Sequence, residues 1–365
     1  YVYLQRSSSN FENANFEAVA KSASLNHVLE ELTIDQIRST FPITAFRSIG
    51  RAVKIKGEFS LSVNDLFLHM DSIAKSMGVK VQDRMVQKID SSKMILLIDG
   101  KKLSFEKIIV MSGINTHRLL EDNSLIPIYQ GVGVAMLLNP IKDVEFSKLR
   151  RGVFRSVNRG GAQCGIHLVP REDGKFYLGA GNYVSKLENP VVRLDTVRYL
   201  LTTLENDLIG RDAAYELTGE FYVGLRPRSL DGFPAVGPLR SNNSIFVSTG
   251  TNRAGLTWAP FISAQALLWL REQSLSALIA GWNPDRSPIM FGTKDQGIDY
   301  FVSSRISNAR EHGLIPKNAS RELVESKSNE FRLAASIMAD KVSEKLNLPF
   351  GQTVNPDNWS AILSE

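Results

Sequence analysis

Apolar residues follow a helical period in the first part of the chain and a strand-like pattern in the middle. Residues 61–77 place their apolar side chains on one broad face and predict a strongly amphipathic helix. Residues 16–32 show the same period and predict another helix. Short apolar runs at 94–98 and 108–111 predict buried strands, with the Asp99-Gly100 turn linking them. Helices and strands therefore alternate in this part of the chain.

Strand-like segments dominate from residue 130 to residue 218, at 132–138, 164–169 and 176–178. One clear helix, over 195–208, interrupts them. A buried strand at 245–249 and a helix at 258–270 follow. After Gly281 the pattern changes again, because a turn precedes a long helix that Ser320 caps. The apolar stripe predicted for that helix is Phe331, Ala334, Met338, Val342 and Leu346.

Composition and charge restrict the classes of function. Hydrophobic residues make up 43% of the chain and charged residues 22%, as in globular proteins. The net charge of +5 is spread along the sequence, so it favours neither a nucleic-acid nor a membrane partner. The single cysteine, Cys164, excludes an intrachain disulfide and a thiolate metal cluster. The histidines (27, 69, 117, 167 and 312) show no metal-ligand spacing, so we expect no metal.

The start of the chain has neither the basic nor the apolar region of a signal peptide. The most apolar stretch, 125–138, is interrupted and shorter than the roughly 20 residues that span a bilayer. We therefore expect a cytoplasmic protein without a transmembrane segment, and peripheral membrane association stays open.

Two segments carry candidate chemistry. Residues 244–266 predict a strand, a polar loop and a helix that starts near Gly255, where backbone N–H groups and the positive helix end can stabilise a negative ligand. An ordinary connection without a ligand has the same pattern. Arg226 lies in an apolar stretch, and its guanidinium group suits a bidentate carboxylate contact. A structural salt bridge is the alternative.

These segments form two motifs, Gly224-Leu-Arg-Pro with the following Asp231-Gly232 turn, and Ser248-Thr-Gly-Thr-Asn-Arg-Ala-Gly-Leu-Thr-Trp-Ala-Pro260. In this order and spacing the pair resembles the C-terminal signature of the D-amino-acid oxidase family of flavin enzymes, which includes glycine oxidase, sarcosine oxidase and D-amino-acid dehydrogenase. Weaker similarities extend over most of residues 1–282.

The resemblance implies a role for individual residues. Arg226 is expected to hold a substrate carboxylate, and Arg253 to lie beside flavin and substrate. His167 falls where relatives place a substrate-contacting tyrosine, although a single histidine on a strand is often structural. The residues expected to bind the cofactor are Val86, Gly113, Gly250, Thr251, Asn252, Arg253, Ala254, Gly255, Leu256 and Thr257. Because no cysteine lies in the C-terminal part, the resemblance implies non-covalent FAD.

The chain also departs from the family pattern. Sarcosine oxidases have a lysine in a Lys-X-Gly context near the flavin, where this chain has Tyr177-Leu178-Gly179, so the electron acceptor stays open. The family begins with a strand, Gly-X-Gly-X-X-Gly and a helix, which hold the FAD pyrophosphate. The nearest match, Gly179-Ala-Gly181, has Val184 at the third glycine position. We therefore expect this unit either upstream in a longer protein or on a partner chain. For the assembly, a homo-oligomer is the alternative to a complex with a partner chain.

The resemblance implies an α/β fold with an N-terminally incomplete, Rossmann-like FAD-binding domain, an inserted antiparallel-sheet substrate domain and a helical C-terminal extension. The predicted segments are 1–58 (substrate-domain and linking segment), 59–126 and 223–282 (FAD-binding), 127–222 (substrate-binding sheet) and 283–365 (extension). The implied activity is oxidation of the C–N bond of an amino acid or amine to an imine. A non-catalytic or accessory subunit and an FAD-dependent hydroxy-acid dehydrogenase are the alternatives.

Overall fold

The protein is described here by a computed structural model. It describes the chain except residues 7, 27, 42–47, 121–123, 142–145, 148, 160–164, 186–190, 312–313, 317 and 365. The chain divides into two compact units. The first unit comprises residues 1–60, 132–224 and 291–365, and the second comprises residues 61–131 and 225–290.

An eight-stranded sheet organises the first unit, in the order β12-β8-β11-β10-β9-β1-β3-β2. Its strands are β1 (Val2–Gln5), β2 (Leu29–Glu31), β3 (Ile49–Ile55), β8 (Ile128–Pro140), β9 (Phe154–Ser156), β10 (His167–Pro170), β11 (Phe176–Ser185) and β12 (Leu217–Ser229). The β1–β3, β2–β3, β9–β10 and β10–β11 pairs are antiparallel, as predicted for this sheet. The β1–β9 pair is parallel, which the sequence did not indicate.

The helices in the N-terminal part of the first unit begin at side-chain caps. Helix α1 (Asn10–Leu25) starts at a capping box in which Ser9 and Glu12 exchange hydrogen bonds. The helix was predicted over 16–32, and both ends of this prediction were wrong. Helix α1 begins at Asn10 and ends at Leu25, and residues 29–31 form strand β2. Helix α2 (Ile34–Thr40) has the same kind of cap at Thr33. Helix α5 (Leu194–Thr203) continues as one turn of π-helix over Leu204–Leu208. A short helix, α6 (Arg211–Ala214), follows.

The C-terminal extension also belongs to the first unit. It consists of α9 (Lys294–Glu311), α10 (Arg321–Leu346), α11 (Trp359–Leu363) and the small β15–β16 sheet (Gly292–Thr293 with Gln352–Thr353). Ser320 caps α10 as predicted, and of the predicted apolar stripe Val342 is buried and Phe331, Met338 and Leu346 are half-buried, so the prediction was wrong only at Ala334. Ala335 and Ala339 are buried, whereas Ala334 is exposed.

The second unit contains two small sheets. One has the order β13-β14-β7 (Ala235–Pro238, Ile245–Thr249, Ile108–Val110), with β14 parallel to β7 and antiparallel to β13. The other is an antiparallel meander of β4 (Val86–Asp90), β5 (Ile95–Ile98) and β6 (Lys101–Ser104). The Asp99-Gly100 turn joins β5 to β6, so the prediction that it links β5 to β7 was wrong. The helices are α3 (Val63–Ser76), α4 (Thr116–Leu120), α7 (Gly255–Leu270) and α8 (Ala277–Gly281).

Strand β14 separates two hydrophobic clusters of the second unit. Ile245 and Val247 on one face pack with β7, α4 and the meander. Phe246 on the other face packs with Ile262, Ala266 and Trp269 of α7. This sandwich fixes the position of the loop that joins β14 to α7. Among the described residues, no helix combines the length and the apolar character needed to span a bilayer.

Candidate functional site

The carboxyl ends of β7 and β14 lie side by side because the two strands are parallel. Such an edge is where open α/β sheets bind their ligands. At this edge the Thr249 hydroxyl donates a hydrogen bond of 2.8 Å to the carbonyl oxygen of Gly113, which follows β7. The Thr116 hydroxyl donates to the same oxygen, also at 2.8 Å. The two chain segments predicted to line a flavin are thus held together.

Gly250 begins the loop after β14 in a conformation that favours glycine. Its φ is +70°, and a Cβ atom there would lie 3.0 Å from the backbone nitrogen of Ala235. Both the left-handed backbone and the close approach of β13 therefore disfavour a side chain. The sequence motif therefore has glycine at the point where the loop turns away from β14.

The loop folds back on the strand that carries Arg226. The Asn252 backbone N–H donates to the Pro227 carbonyl oxygen at 2.7 Å, and Thr251 forms an antiparallel bridge with Arg228. Asn252 itself has a φ of +51°. The Gly-Leu-Arg-Pro motif and the Thr-Gly-Thr-Asn-Arg motif, separated in sequence, are therefore neighbours in the second unit.

Gly131 lies opposite Arg226 on the adjacent strand. A Cβ atom at Gly131 would lie 3.5 Å from the Arg226 Cβ, 3.3 Å from the Arg226 carbonyl oxygen and 3.4 Å from the Asn252 Oδ1. The missing side chain of Gly131 thus lets the Arg226 backbone and the Asn252 side chain approach this strand closely.

The arginines of the site differ in burial. Arg226 is half-buried, and Arg253 is exposed. Arg228, which the sequence analysis did not single out, is buried at 5% exposure. A further charge is Asp231, which forms a buried ion pair with Arg286. The sequence indicated only a turn at Asp231, because nothing in a single sequence joins two charges 55 positions apart.

The start of helix α7 fits the ring end of a flavin. Its N-cap residue, Ala254, offers no side-chain acceptor to the N–H groups of the first helical turn. Leu256 and Thr257 in that turn are exposed, and the space beside the Gly113 Cα is open. Backbone N–H donors and the positive helix end suit the electron-rich edge of the isoalloxazine ring. No Gly-X-Gly-X-X-Gly segment for the pyrophosphate occurs in the 365 residues.

The structure gives the surroundings of two further predicted site residues, Val86 and His167, and their predicted roles stay predictions. Val86 begins strand β4 and packs against the cluster of Ile108, Val110 and Val247, so its side chain serves the core of the second unit. His167 belongs to β10 of the first unit, opposite Gly179 on β11 and Arg155 on β9. Cys164, His27 and His312 lie outside the described residues. The described residues contain no group of His, Cys, Asp and Glu that could hold a metal.

Comparison with known proteins identifies the family. Residues 1–267 match the model of the DAO family, described as FAD dependent oxidoreductase. No curated protein sequence matches the chain. The fold is similar to that of glycine oxidase from Geobacillus kaustophilus, with 20% identity, 77% of this chain and 73% of that chain covered, and a TM-score of 0.64.

Two other solved structures share the fold. L-proline dehydrogenase from P. horikoshii has 15% identity, with 78% of this chain and 75% of that chain covered and a TM-score of 0.63. FAD-bound L-alpha-glycerophosphate oxidase from Mycoplasma pneumoniae has 15% identity, with 79% and 76% covered and a TM-score of 0.59. The family match covers well over half of the sequence, and the site fits the ring of its cofactor. The chain belongs to the DAO family of FAD-dependent oxidoreductases.

Proposed function

We propose that the protein oxidises the C–N bond of an amino acid or a related amine to an imine. The observation that carries the proposal is that the loop after β14 folds back on the strand of Arg226, through the hydrogen bond from the Asn252 N–H to the Pro227 carbonyl oxygen and the Thr251–Arg228 bridge. Arg226 can bind a substrate carboxylate there, and the loop from Gly250 to Thr257 lies beside it. When bound, FAD supplies the two-electron acceptor that takes a hydride from the carbon bearing the amine.

The residues of the chain position and stabilise the reacting groups. Arg226 anchors the carboxylate, and orientation of this kind lowers the entropic part of the barrier. The N–H groups at the start of α7 would stabilise negative charge on the flavin ring if FAD binds there. An amine that binds in its neutral form needs no side chain to remove its proton. We assign Arg253, exposed at the same loop, to the entrance of this site.

The test is anaerobic titration of the purified, FAD-containing protein with amino acids and amines. We expect at least one of them to bleach the flavin absorbance, with the imine hydrolysing to a keto acid or aldehyde. A normal flavin spectrum that no amine or amino acid bleaches, with hydroxy acids included as a comparison, would contradict the proposal. Bleaching by a hydroxy acid alone would support the hydroxy-acid dehydrogenase, since Arg226 serves a carboxylate in either reaction.

An accessory role in a two-chain flavoprotein is the second candidate. In that case the chain would contribute one side of a flavin site in a larger assembly. FAD titration of the 365-residue chain by itself separates the two cases. Tight binding supports an enzyme that is complete in this chain, and lack of binding supports a site that another polypeptide segment completes.

A further inference from the structure

The outermost strand of the eight-stranded sheet has an open edge in the first unit. Strand β12 stands at one end of the strand order, and its first-unit part pairs only with β8 among the described strands. The Ile141 N–H donates to the carbonyl oxygen of Glu216, directly before β12, so the even-numbered residues of this strand bond to β8. The odd-numbered residues Gly219, Phe221 and Val223 therefore direct their N–H and C=O groups towards the open edge.

This edge carries apolar side chains and lacks the usual protection. Every residue from 218 to 224 is exposed, and the exposed fractions of Phe221, Tyr222 and Val223 are 42%, 51% and 40%. Proteins normally protect an edge strand with lysine or proline, or by keeping it short. Residues 218–224 contain no lysine, arginine or proline, their single charge is Glu220, and β12 is 13 residues long. Such an edge can receive one more strand.

We propose that residues 218–224 pair in antiparallel fashion with the same residues of a second copy of this chain, around a two-fold axis at Phe221. Phe221 then lies opposite Phe221 of the second copy, and Gly219 lies opposite Val223. Each of these positions directs its N–H and C=O groups outward, so the groups of the two copies can bond to one another across the axis. The proposal concerns the first unit and does not rest on the proposed function.

The polar groups of the edge are complementary in this register. Within one chain the Tyr222 hydroxyl donates to the Glu220 carboxylate at 3.1 Å. This hydrogen bond raises the pKa of the Tyr222 phenol, the Glu220 charge adds to the rise, and the positive charge of Arg171 opposes it. The phenol is therefore a donor at neutral pH, with a cation in its surroundings. In the pair each Glu220 lies opposite Tyr222 of the other copy, and the two carboxylates are only diagonal neighbours.

The side-chain sizes on the other face of the strand are also complementary. A Cβ atom at Gly219 would lie 3.0 Å from the Met136 Cε and 3.4 Å from the Leu138 Cδ2, so these apolar side chains reach the glycine from β8. Val223 of the second copy, opposite Gly219, would extend this apolar contact. A large side chain at position 219 would occupy the same space, whereas glycine leaves it to the second copy.

Other registers and another kind of partner fit the edge less well. A two-fold axis at Glu220 would set two carboxylates directly opposite each other, which is destabilising. An axis at Tyr222 would place Glu220 opposite Gly224, which has no side chain to donate a hydrogen bond. An anionic membrane surface attracts clusters of Lys and Arg, and residues 218–224 contain neither.

The test is sedimentation velocity of the purified full chain over a wide range of concentrations, and we expect a reversible dimer. Phe221→Lys sets two lysines opposite each other on the axis and should raise the Kd of the dimer about tenfold or more. Tyr222→Lys adds the same charge one position further along but sets it opposite Glu220 of the second copy, so the Kd should not rise. Leu333→Lys, at an exposed residue of α10 in the same unit, should leave the Kd unchanged.

Val223→Pro provides a second variant that adds no charge. It removes an N–H group that points away from β8, so the pairing of β12 with β8 and the melting temperature should be retained. The same N–H group bonds to the second copy in the proposed pair, so the Kd of the dimer should rise. This variant tests the strand pairing even where Phe221→Lys fails to fold.

Three results would overturn the proposal. The first is a chain that stays monomeric at every concentration, and the second is a dimer whose Kd neither Phe221→Lys nor Val223→Pro raises. The third is equal weakening by Phe221→Lys and Tyr222→Lys, which would contradict the two-fold axis at Phe221. The association is measured without any catalytic readout, so the dimer and the proposed oxidation can fail separately.

Discussion

Arg286 and Asp231 form a bidentate ion pair in the interior of the second unit. The Arg286 Nε lies 3.0 Å from the Asp231 Oδ2, and the Arg286 Nη2 lies 2.8 Å from the Oδ1. The Asp231 carboxylate also accepts from the backbone N–H groups of Phe233 and Ile289, each at 3.0 Å. Because Asp231 lies two residues beyond the end of the strand that carries Arg226, this pair fastens that strand to the segment after α8.

Asp231→Asn should strongly destabilise the second unit. The substitution leaves the Arg286 guanidinium buried without its counter-charge, and breaking such a pair costs about 3–5 kcal/mol. Urea unfolding of the full chain measures the change. The control is Glu272→Gln, which removes the exposed Lys107–Glu272 pair and should cost about 1 kcal/mol or less. Equal effects of the two substitutions would show that the buried pair contributes no more than a surface one.

Gly250→Ala should weaken both the fold and flavin binding. The left-handed conformation costs a non-glycine residue about 1–3 kcal/mol, and the added methyl group would press on the Ala235 nitrogen at 3.0 Å. Gly281→Ala is the matched control, because nothing lies within 4 Å of its Cβ position at the end of helix α8. Urea unfolding and FAD titration measure the two effects. A Gly250→Ala variant as stable as Gly281→Ala would contradict the close approach of β13.

Arg159→Leu should destabilise the first unit by about 3–5 kcal/mol. Arg159 lies between two buried carboxylates, with its Nη2 2.8 Å from the Asp207 Oδ2 and its Nε 3.4 Å from the Glu12 Oε1. Leucine leaves both acids buried without a cation. Chemical denaturation measures the loss. Arg38→Leu, which removes an exposed pair with Asp35, should change stability by less than about 1 kcal/mol, and a similar loss in both variants would contradict the prediction.

The sequence predicted local features better than distant pairings. The loop at Gly250 and the helix that follows it were predictable because glycines, a β-branched strand and an apolar helix are adjacent in the chain. The Asp231–Arg286 and Arg159–Asp207 pairs were not, since each joins positions about 50 residues apart and nothing in one sequence specifies the partner. The same limit applies to Gly131, whose position opposite Arg226 depends on strand pairing.

Errors at the helices have local causes. The Ser9–Glu12 capping box places the start of α1 at Asn10. Both residues of this capping signal are present in the sequence, but the apolar period alone predicted a start at residue 16. Helix α9 was missed because Ser304 and Ser307 occupy its buried side and weaken the apolar period. The Ser307 hydroxyl lies 3.1 Å from that of Ser9, so this polar position has a packing partner that no periodicity reveals.

Arg226→Leu should weaken the binding of carboxylate substrates by about 2–5 kcal/mol if the guanidinium pairs with the carboxylate in a site that excludes water. KM should rise accordingly, whereas an amine without a carboxylate should be affected much less. Arg226→Lys keeps the charge and loses the bidentate geometry, so its KM should lie between those of the other two proteins. Arg271→Leu, at an exposed arginine of the same unit, is the control and should leave KM unchanged. An Arg226→Leu protein with unchanged KM and reduced stability would instead show that the arginine holds the fold.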